Sequence, residues 1–519
     1  MLDLGLLAVH AALAVHAALA TYVSRLAHSF TQHASHATLE LGGIVTFDPA
    51  TLSSLTVGSH LPTSLLTREH ARHADMVLRS RTMSLRGIFL QYADPTSPAV
   101  HASLFLRDGR LTGAMYGEGS LRTVLRCIDA GVCSVSVEDA NRDRPCGCAD
   151  LEFVNAPTPL GNASEGGIAG SVCDDGSSVD VLVVYTDAAV AQAGSEIAVL
   201  DEIAWAIFDS NATYAGSGIA LTMRLVGASR LNGFVEAPAD LSADLVALTS
   251  STDGIIDSVH ALRDETDADL VALVRADSPL SCGVAWILQE NSSSESPSGF
   301  SVTALGCFAN RTFTHELAHN MGCCHAPNDG GGCSHAAGVF PDSMGHRFTG
   351  ADGVDYRTIM AYAPGLRIPR FSSPLVSWAS TPTGILYQCD NARTINETKL
   401  AFTNYRCAPV SGSCGSPSSG DCCASHIEPF CNDARCCAFI CANDAYCCET
   451  TWDARCADSA RALFAGCCVT DLDGDGNTGA SDLAALLSAW STPTVDFDSN
   501  GTCDAQDLAT LLEGWGPCL

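Results

Sequence analysis

Lysine is nearly missing from this sequence, because Lys399 is the single lysine among 519 residues. Arginine does not make up the difference, since 27 basic residues stand against 58 acidic ones and leave a formal net charge of −31. A surface this acidic repels the phosphates of nucleic acids and the headgroups of anionic membranes, so we exclude both as partners. The same charge suits a salty or extracellular setting.

The chain also lacks a long apolar run. No segment reaches about 18 apolar residues, the length that spans a bilayer as a helix, so we expect no membrane span. Residues 1–22 come nearest, with an apolar stretch that ends in Ala-Leu-Ala, as in many signal peptides. Asp3 stands where a positive charge is usual, and His10 and His16 interrupt the stretch. We therefore interpret residues 1–22 as an atypical signal segment.

Charged residues are scarce, at 16%, whereas apolar residues reach 47%, a balance typical of globular proteins. A chain of 519 residues exceeds one ordinary core, so we expect three or four domains. The predicted fold class is multidomain, with β-rich, mixed α/β, disulfide-rich and small helical parts. Changes in composition and in hydrophobic pattern set the predicted domain boundaries. The predicted parts are a β-rich unit at 37–155, a Gly/Ser/Asn-rich linker at 156–178, an α/β domain at 179–408, a cysteine-rich module at 409–468 and a repeat pair at 469–519.

Hydrophobic periodicity separates the first two folded parts. Alternating patterns such as MSLRGIFLQY and ASLFLRDGRLTGAMYG support strands in the β-rich unit. From Val179 onward, strand-like runs (VDVLVVY, IALTMRLVG, ADLVALVRA) alternate with helical spacing, in SEIAVLDEIAWAIFDSNATYAGSG and again around LSADLVALTSSTDGIIDSVHALRDE. Such alternation predicts a mixed sheet covered by helices.

Cysteine is unevenly distributed, because 13 of the 26 cysteines lie between Cys407 and Cys468. Such density indicates either a disulfide-stapled module from an oxidising compartment or a cytosolic zinc-cluster protein. Zinc clusters usually show two repeated C-x2-C pairs. These are absent here, whereas adjacent cysteines recur at positions 422 and 423 and at positions 447 and 448. We favour disulfides and expect a secreted or cell-surface protein.

The stretch THELAHNMGCCHAP at 314–327 carries three histidines. Positions i and i+4 share one helix face, so His315 and His319 aim two imidazoles at one point. Gly322 allows the chain to leave the helix and return His325 as a third ligand. Three nitrogens and one open position are what a hydrolytic zinc ion needs. Glu316 stands beside them, placed to take a proton from the metal-activated water.

The full pattern H-E-x-x-H-x-x-G-x-x-H resembles the metzincin family of zinc endopeptidases. Downstream, YRTIMAYAP places Met360 where that family has the Met-turn below its metal, and RIPRFSSPLVSW would shape the primed-side pocket. The resemblance covers residues 179–408, whose strand-helix pattern is similar to the reprolysin-like branch. It implies hydrolysis of protein peptide bonds by a zinc-activated water, with Glu316 as general base.

Tyr362 is a further candidate. The spacing Met-x-Tyr is similar to astacin-like and serralysin-like metzincins, where a tyrosine at this place approaches the zinc and stabilises the oxyanion. Reprolysins usually lack it, so a buried structural tyrosine is an equal alternative. His335 and His346 lie in the loop between the motif and Met360, and we interpret both as loop residues.

Two rival interpretations remain open. The histidines could hold a structural or vestigial zinc on a scaffold. Alternatively, the chain could be an adhesin or surface-assembly protein whose function lies in its cysteine-rich and C-terminal modules. An intact Glu316 favours the enzyme, because neither rival requires a carboxylate beside the three histidines.

The β-rich unit resembles a protease propeptide, since it precedes the metzincin-like region. Its end, RDRPCGCAD, resembles the cysteine switch, in which a propeptide thiolate occupies the fourth position on zinc, here through Cys146 or Cys148. Residues 127–173 and 282–333 each contain five cysteines, so pairing within each group leaves one over. The leftovers would be a switch thiol and a free Cys323, or would pair with each other.

Residues 469–519 hold two copies of one pattern, DLDGDGNTGASDLAALLSAW and DFDSNGTCDAQDLATLLEGW. Their acidic loops resemble EF-hand calcium loops. One helix follows each loop and none precedes it, so the pair resembles dockerin repeats and implies Ca²⁺ and a cohesin-like or cell-surface partner. A solvated acidic turn is the alternative. The predicted calcium ligands are Asp471, Asp473, Asp475, Asp482, Asp496, Asp498, Asn500 and Asp507.

The repeat pair is short, so its expected core is small. A bridge between Cys503 and Cys518 could staple the second repeat. The side chains expected to form the core are Leu483, Leu486, Leu487, Trp490, Leu508, Leu511, Leu512 and Trp515.

Overall fold

The structure is a computed structural model of the chain. It describes residues 38–62, 75–84, 87–117, 119–140, 143–144, 175–238, 240–329, 338–406, 414–415, 419–444, 446–463, 472, 477–492, 495, 502–513 and 516–517. The predicted signal segment 1–22 and the cysteines Cys146 and Cys148 lie outside the described residues. So does His335.

Seven antiparallel strands form the first sheet, in the order β1-β7-β6-β5-β4-β3-β2. Strands β2 to β7 each pair with the next strand in the chain, as expected where short turns join antiparallel neighbours. A short helix, α1 (Pro49–Ser53), follows β1. The strands are β1 (Thr38–Thr46), β2 (Val77–Ser84), β3 (Gly87–Ala93), β4 (His101–Arg107), β5 (Arg110–Tyr116), β6 (Leu121–Asp129) and β7 (Val132–Asp139).

Both faces of this N-terminal sheet are buried. One face packs with Leu52 and Leu61 in a cluster of its own. The other face contributes Phe105, Tyr116 and Val124 to the cluster that also contains the core of the second sheet. The N-terminal sheet therefore shares a hydrophobic core with the part of the chain that follows.

The second, central sheet has the order β11-β12-β10-β8-β9. Four of its strands, β8, β9, β10 and β12, run parallel to one another. Strand β11 runs antiparallel to β12 at one edge of the sheet. The parallel strands are rich in Val and Leu because helices cover the sheet. The strands are β8 (Ser178–Thr186), β9 (Thr222–Leu231), β10 (Leu270–Arg275), β11 (Gly283–Ala285) and β12 (Phe300–Ala304).

Helices connect these strands, as the alternating pattern predicts. Helix α3 is the longest and packs against both sheets. The stretch predicted as one helical region after β9 is two helices, because Ser-Ser-Thr-Asp-Gly between them favours a turn. The helices are α2 (Asp187–Ala193), α3 (Glu196–Gly216), α4 (Leu241–Thr249) and α5 (Ser258–Glu265).

After β12 the chain forms a 3-10 turn at Leu305–Asn310 and the motif helix α6 (Thr312–Asn320). Five short strands and one helix complete this region. They are β13 (Arg347–Thr349), β14 (Asp355–Arg357), β15 (Leu366–Arg367), β16 (Ser377–Trp378), β17 (Thr381–Pro382) and α7 (Asn391–Phe402). Within the described residues, no helix combines the length and apolarity needed to cross a membrane.

The cysteine-rich module contains α8 (Ala434–Asn443), α9 (Tyr446–Glu449) and α10 (Ala454–Leu463). The preference for disulfides is confirmed, because the described residues include four bridges within this module and two more upstream. These are Cys414–Cys437, Cys422–Cys431, Cys441–Cys448, Cys447–Cys456, Cys127–Cys133 and Cys282–Cys307.

The repeat pair contains α11 (Ala480–Ser488) and α12 (Ala505–Glu513), with β18 (Asn477–Thr478) paired to β19 (Gly516–Pro517). Its predicted core is wrong in part: Leu486 and Leu511 are buried around Cys503, whereas Leu487, Leu512 and Trp490 are at least 40% exposed. A pair of single helices offers too little apolar surface to enclose two leucines per turn. Trp515 lies outside the described residues.

Candidate active site

The motif helix α6 is buried along its whole length, including His315, Glu316 and His319. It begins after Arg311, whose φ of 58° is left-handed. The guanidinium of Arg311 donates to Asp209 of α3 at 2.8 Å, which ties the start of the motif helix to the long helix behind it. Sequence periodicity therefore predicts this helix, and tertiary packing holds it in place.

The chain reverses direction at Gly322, where φ is +94°. A Cβ atom there would lie 2.6 Å from Val339, so both conformation and space require glycine. The amide of Cys323 then donates to the carbonyl of Ala318 at 2.9 Å. This turn returns His325 to the two helical histidines, as the motif predicts.

The three imidazoles converge. Nε2 of His325 lies 3.2 Å from Nε2 of His315 and 3.1 Å from Nε2 of His319. Tetrahedral zinc with Zn–N distances of about 2.0–2.1 Å places its nitrogens about 3.3 Å apart. The three residues thus form a compact group suited to one metal ion.

Backbone carbonyls orient two of these rings. Nδ1 of His315 lies 2.9 Å from the carbonyl of Ile359, and Nδ1 of His319 lies 2.8 Å from that of Cys323. A carbonyl only accepts, so each Nδ1 carries the proton and each Nε2 presents a lone pair. Burial, the largest cause, and the neighbouring histidines hold the pKa of His315 well below its usual value. The residues present therefore fit a metal that binds neutral imidazole.

Glu316 is fully buried and lies against the edge strand β11. A Cβ atom at Gly283 would lie 2.6 Å from Cγ and Cδ of Glu316, closer than real atoms approach. Gly283 therefore makes room for the carboxylate. The disulfide between Cys282 and Cys307 joins this strand to the turn before α6. Sequence reasoning missed Gly283, because one glycine between a cysteine and a valine carries no motif.

Tyr362 lies at the metal site. Its hydroxyl is 3.0 Å from Nε2 of His325, and the two ring centroids are 4.3 Å apart. Asp329 accepts from the amide of Tyr362 at 3.0 Å and pairs with Arg347, which fixes the tyrosine backbone. The structure thus brings the sequence-predicted tyrosine to the histidines, together with Asp329, which the sequence did not reveal.

Met360 is fully buried in the cluster that contains the motif helix. A Cβ atom at Gly345 would lie 2.8 Å from the carbonyl carbon of Met360, and the amide of Gly345 lies 3.1 Å from the carbonyl of Cys324. Gly345 therefore presses the Met360 turn against the loop that carries His325. The Met-turn role itself stays a prediction. His346 stacks on Phe348, as a loop residue would.

Comparison with known proteins agrees with this geometry. Residues 176–388 match the model of the Reprolysin-like metallopeptidase family M12B. The chain is a zinc metalloendopeptidase, a hydrolase that acts on peptide bonds.

Two curated relatives are similar to this chain over most of their length. A peptidyl-Asp metalloendopeptidase of Stenotrophomonas maltophilia is 29% identical over 310 residues, which cover 58% of this chain and 70% of the relative. A peptidyl-Asp metalloendopeptidase of Xanthomonas campestris pv. campestris is 27% identical over 337 residues, which cover 63% of this chain and 73% of the relative.

Proposed function

We propose that this chain is a secreted endopeptidase in which His315, His319 and His325 hold zinc and Glu316 is the general base. The observation that carries the proposal is that the Nε2 atoms of His315 and His319 each lie within 3.2 Å of the Nε2 of His325, with a buried carboxylate on the helix between them. A scaffold or adhesin has no need of that carboxylate.

A zinc ion at this site would supply a Lewis acid that polarises the peptide carbonyl and brings the pKa of a bound water toward 7. Glu316 then accepts the water proton and passes it to the leaving amine. The Tyr362 hydroxyl, which lies 3.0 Å from Nε2 of His325, would donate a hydrogen bond to the oxygen that gains charge.

The edge strand β11 provides a surface for the substrate. It runs antiparallel to β12 on one side, and Gly283 at its start touches Glu316. An extended peptide that pairs with the outer edge of β11 would pass directly beside the catalytic carboxylate. Backbone pairing of this kind accepts many sequences, so side-chain preference must come from elsewhere in the site.

A preference for aspartate is part of the proposal. Both relatives described above carry peptidyl-Asp in their names, and we propose that this chain likewise cleaves at peptide bonds of aspartyl residues. An acidic substrate side chain needs a cationic partner in a protein with a net charge of −31.

The other parts receive roles that follow from the sequence. We propose residues 37–155 as an inhibitory propeptide, 179–408 as the catalytic domain, 409–468 as a disulfide-stapled module and 469–519 as a calcium-binding anchor. Asp482 and Asp507 are buried and accept from backbone amides at the helix starts. The other predicted calcium ligands, and the switch cysteines Cys146 and Cys148, lie outside the described residues.

Two variants test whether the histidines bind the metal while Glu316 acts as the general base. Glu316→Gln should keep one zinc per chain and lower casein hydrolysis at least ~100-fold, because only the general base is lost. His319→Ala should lose zinc and activity together, since two nitrogens hold the ion weakly. Zinc content by atomic absorption is the first measurement and casein cleavage the second. Parental activity in Glu316→Gln would refute the role of this carboxylate.

A further inference from the structure

Asp143 is a carboxylate that the N-terminal unit, meaning the described residues between 38 and 144, presents to the rest of the chain. It follows β7, and only 6% of its side chain is exposed. Arg122 of the same unit donates to it at 2.7 Å. On the other side, Nη2 of Arg357 donates to Oδ2 of Asp143, also at 2.7 Å.

Arg357 is held by its own part of the molecule, independently of Asp143. Its Nε donates to the carbonyl of Gly365 at 2.8 Å and its Nη1 to that of Ala361 at 3.0 Å. Arg367 donates to the same Ala361 carbonyl at 3.2 Å. Ala361 stands between Met360 and Tyr362, so two guanidinium groups are anchored on the turn that borders the metal site. The Nη2 of Arg357 takes no part in these backbone hydrogen bonds and is the nitrogen that binds the carboxylate of Asp143.

The charges around this position favour a carboxylate. Burial raises the pKa of Asp143, but the charges of Arg122 and Arg357 outweigh burial and the pKa is lowered. Arg122 also pairs with Glu138 at 2.8 Å.

Other acidic groups near Arg357 are already engaged. Asp329 contributes to the field at Arg357, but it forms an ion pair with Arg347. A cavity lined in part by Arg122, Arg367 and Tyr356 opens beside Ala140, three residues before Asp143 in the chain.

In this ion pair the positions of the cation and the anion are reversed, compared with the other described ion pairs between the N-terminal unit and the part of the chain that follows it. In those pairs the N-terminal unit supplies the arginine and the following part supplies the carboxylate. They join Arg107 and Arg110 to Asp201, Arg126 to Glu202, and Arg144 to Asp277. Only between Asp143 and Arg357 does the described N-terminal unit supply the carboxylate. A general adhesive interface does not explain that reversal.

We propose that Arg357, with Arg367 beside it, is the recognition site for an acidic substrate side chain, and that Asp143 occupies it as an internal substrate mimic. The inference rests on the proposed preference for aspartate and names the residues that produce it. When the N-terminal unit withdraws, Arg357 loses its anion, and a buried cation without a counter-charge is costly. An aspartate of the substrate replaces Asp143 at the same nitrogen.

The test uses full-length chain and two peptides that are identical except for Asp or Asn at the residue flanking the scissile bond. The quantity measured is the ratio of kcat/KM for the Asp peptide to that for the Asn peptide. Asp143→Asn should raise this ratio about tenfold, because the weaker contact lets the N-terminal unit withdraw more often and exposes Arg357 to the substrate. Asp201→Asn is the matched control, since it removes a buried carboxylate from the same interface whose partners are Arg107 and Arg110, and it should leave the ratio unchanged.

A second variant guards against misfolding. Asp143→Asn combined with Arg357→Gln removes both charges, so neither is stranded. It should lose the discrimination, with a ratio near one, while its zinc content stays at the parental level. The inference fails if Asp143→Asn leaves the ratio at the parental value, or if the double variant discriminates as well as Asp143→Asn does. Absence of chelator-sensitive cleavage of the Asn peptide and of casein by the parental chain would instead refute the proposed function, and this inference with it.

Discussion

The two large sheets both pack against α3 and differ in how they contact it. Residues of the central sheet such as Val181 and Val183 reach α3 through the apolar core. The N-terminal sheet adds aromatic contacts, with Phe89 stacked 4.1 Å from Phe208, and also buried ion pairs. Arg110 donates to Asp201 of α3 at 3.0 Å, and Arg126 pairs with Glu202.

This difference bears on the proposal that residues 37–155 form a propeptide that leaves the catalytic domain. Apolar contact is lost only by exposing area to water, whereas an ion pair can exchange its partner for another ion or for water. The central sheet carries the edge strand against Glu316, and its geometry has to persist. The N-terminal sheet contacts its neighbour through the shared apolar core and also through ion pairs, and only the ion pairs can be replaced by solvent.

The largest expected effect lies in the central sheet. Gly283→Ala should lower kcat/KM for casein about 100-fold, because the added Cβ pushes the Glu316 carboxylate out of place and misplacement by about 1 Å has that cost. Gly119→Ala is the matched control in the N-terminal sheet, since a Cβ there meets nothing within 4 Å. Zinc content should stay at the parental level in both variants. Equal activity of the two variants would show that Glu316 tolerates movement.

An intermediate effect is expected where the N-terminal sheet meets α3. Arg126→Ala strands the buried Glu202 and should lower the free energy of unfolding by about 3 kcal/mol. Arg230→Ala breaks a much more exposed pair with Asp187 and should lower the free energy of unfolding far less. Chemical denaturation monitored by tryptophan fluorescence gives both values. Similar losses in the two variants would mean that burial does not distinguish these pairs.

The pH dependence of Arg126→Ala sharpens this test. Burial raises the pKa of Glu202 above its ordinary value even with Arg126 beside it, and removing Arg126 raises it further. A carboxyl whose folded pKa is raised favours the folded state below its unfolded pKa, and this contribution is lost as pH rises through the folded pKa. The deficit of Arg126→Ala should therefore be smaller at pH 4 than at pH 8. A deficit that grows on acidification would contradict the assignment.

The smallest effect on catalysis is expected from the C-terminal repeats, which lie outside both sheets. Asp473→Ala combined with Asp498→Ala should abolish the binding of about two calcium ions, because each loop loses a carboxylate ligand. Casein hydrolysis should remain at the parental rate. Titration calorimetry with calcium, and with magnesium as the control ion, measures the binding. Calcium binding that survives the double substitution would remove the loops as its site.

Much of the central region could be predicted from the sequence. Apolar runs from Val179 onward correspond to buried parallel strands, and helical spacing corresponds to α3. The break between α4 and α5 was missed, because turn residues outweighed a helical pattern that continued on both sides. The core of the repeat pair was overestimated for a different reason. Periodicity tells which side of a helix is apolar, but the neighbours decide how much of that side is covered.

The sequence by itself predicted the candidate catalytic constellation, since His315, Glu316 and His319 lie within five residues of one helix and Gly322 returns His325. Local geometry brings these side chains together, because helix pitch and one left-handed glycine set their spacing along the chain. Only the tertiary structure decided that Gly283 borders Glu316, that Ile359 orients His315, and that Asp143 reaches Arg357. These contacts join residues between 33 and 214 positions apart, and chain separation of that size leaves no periodic trace in the sequence.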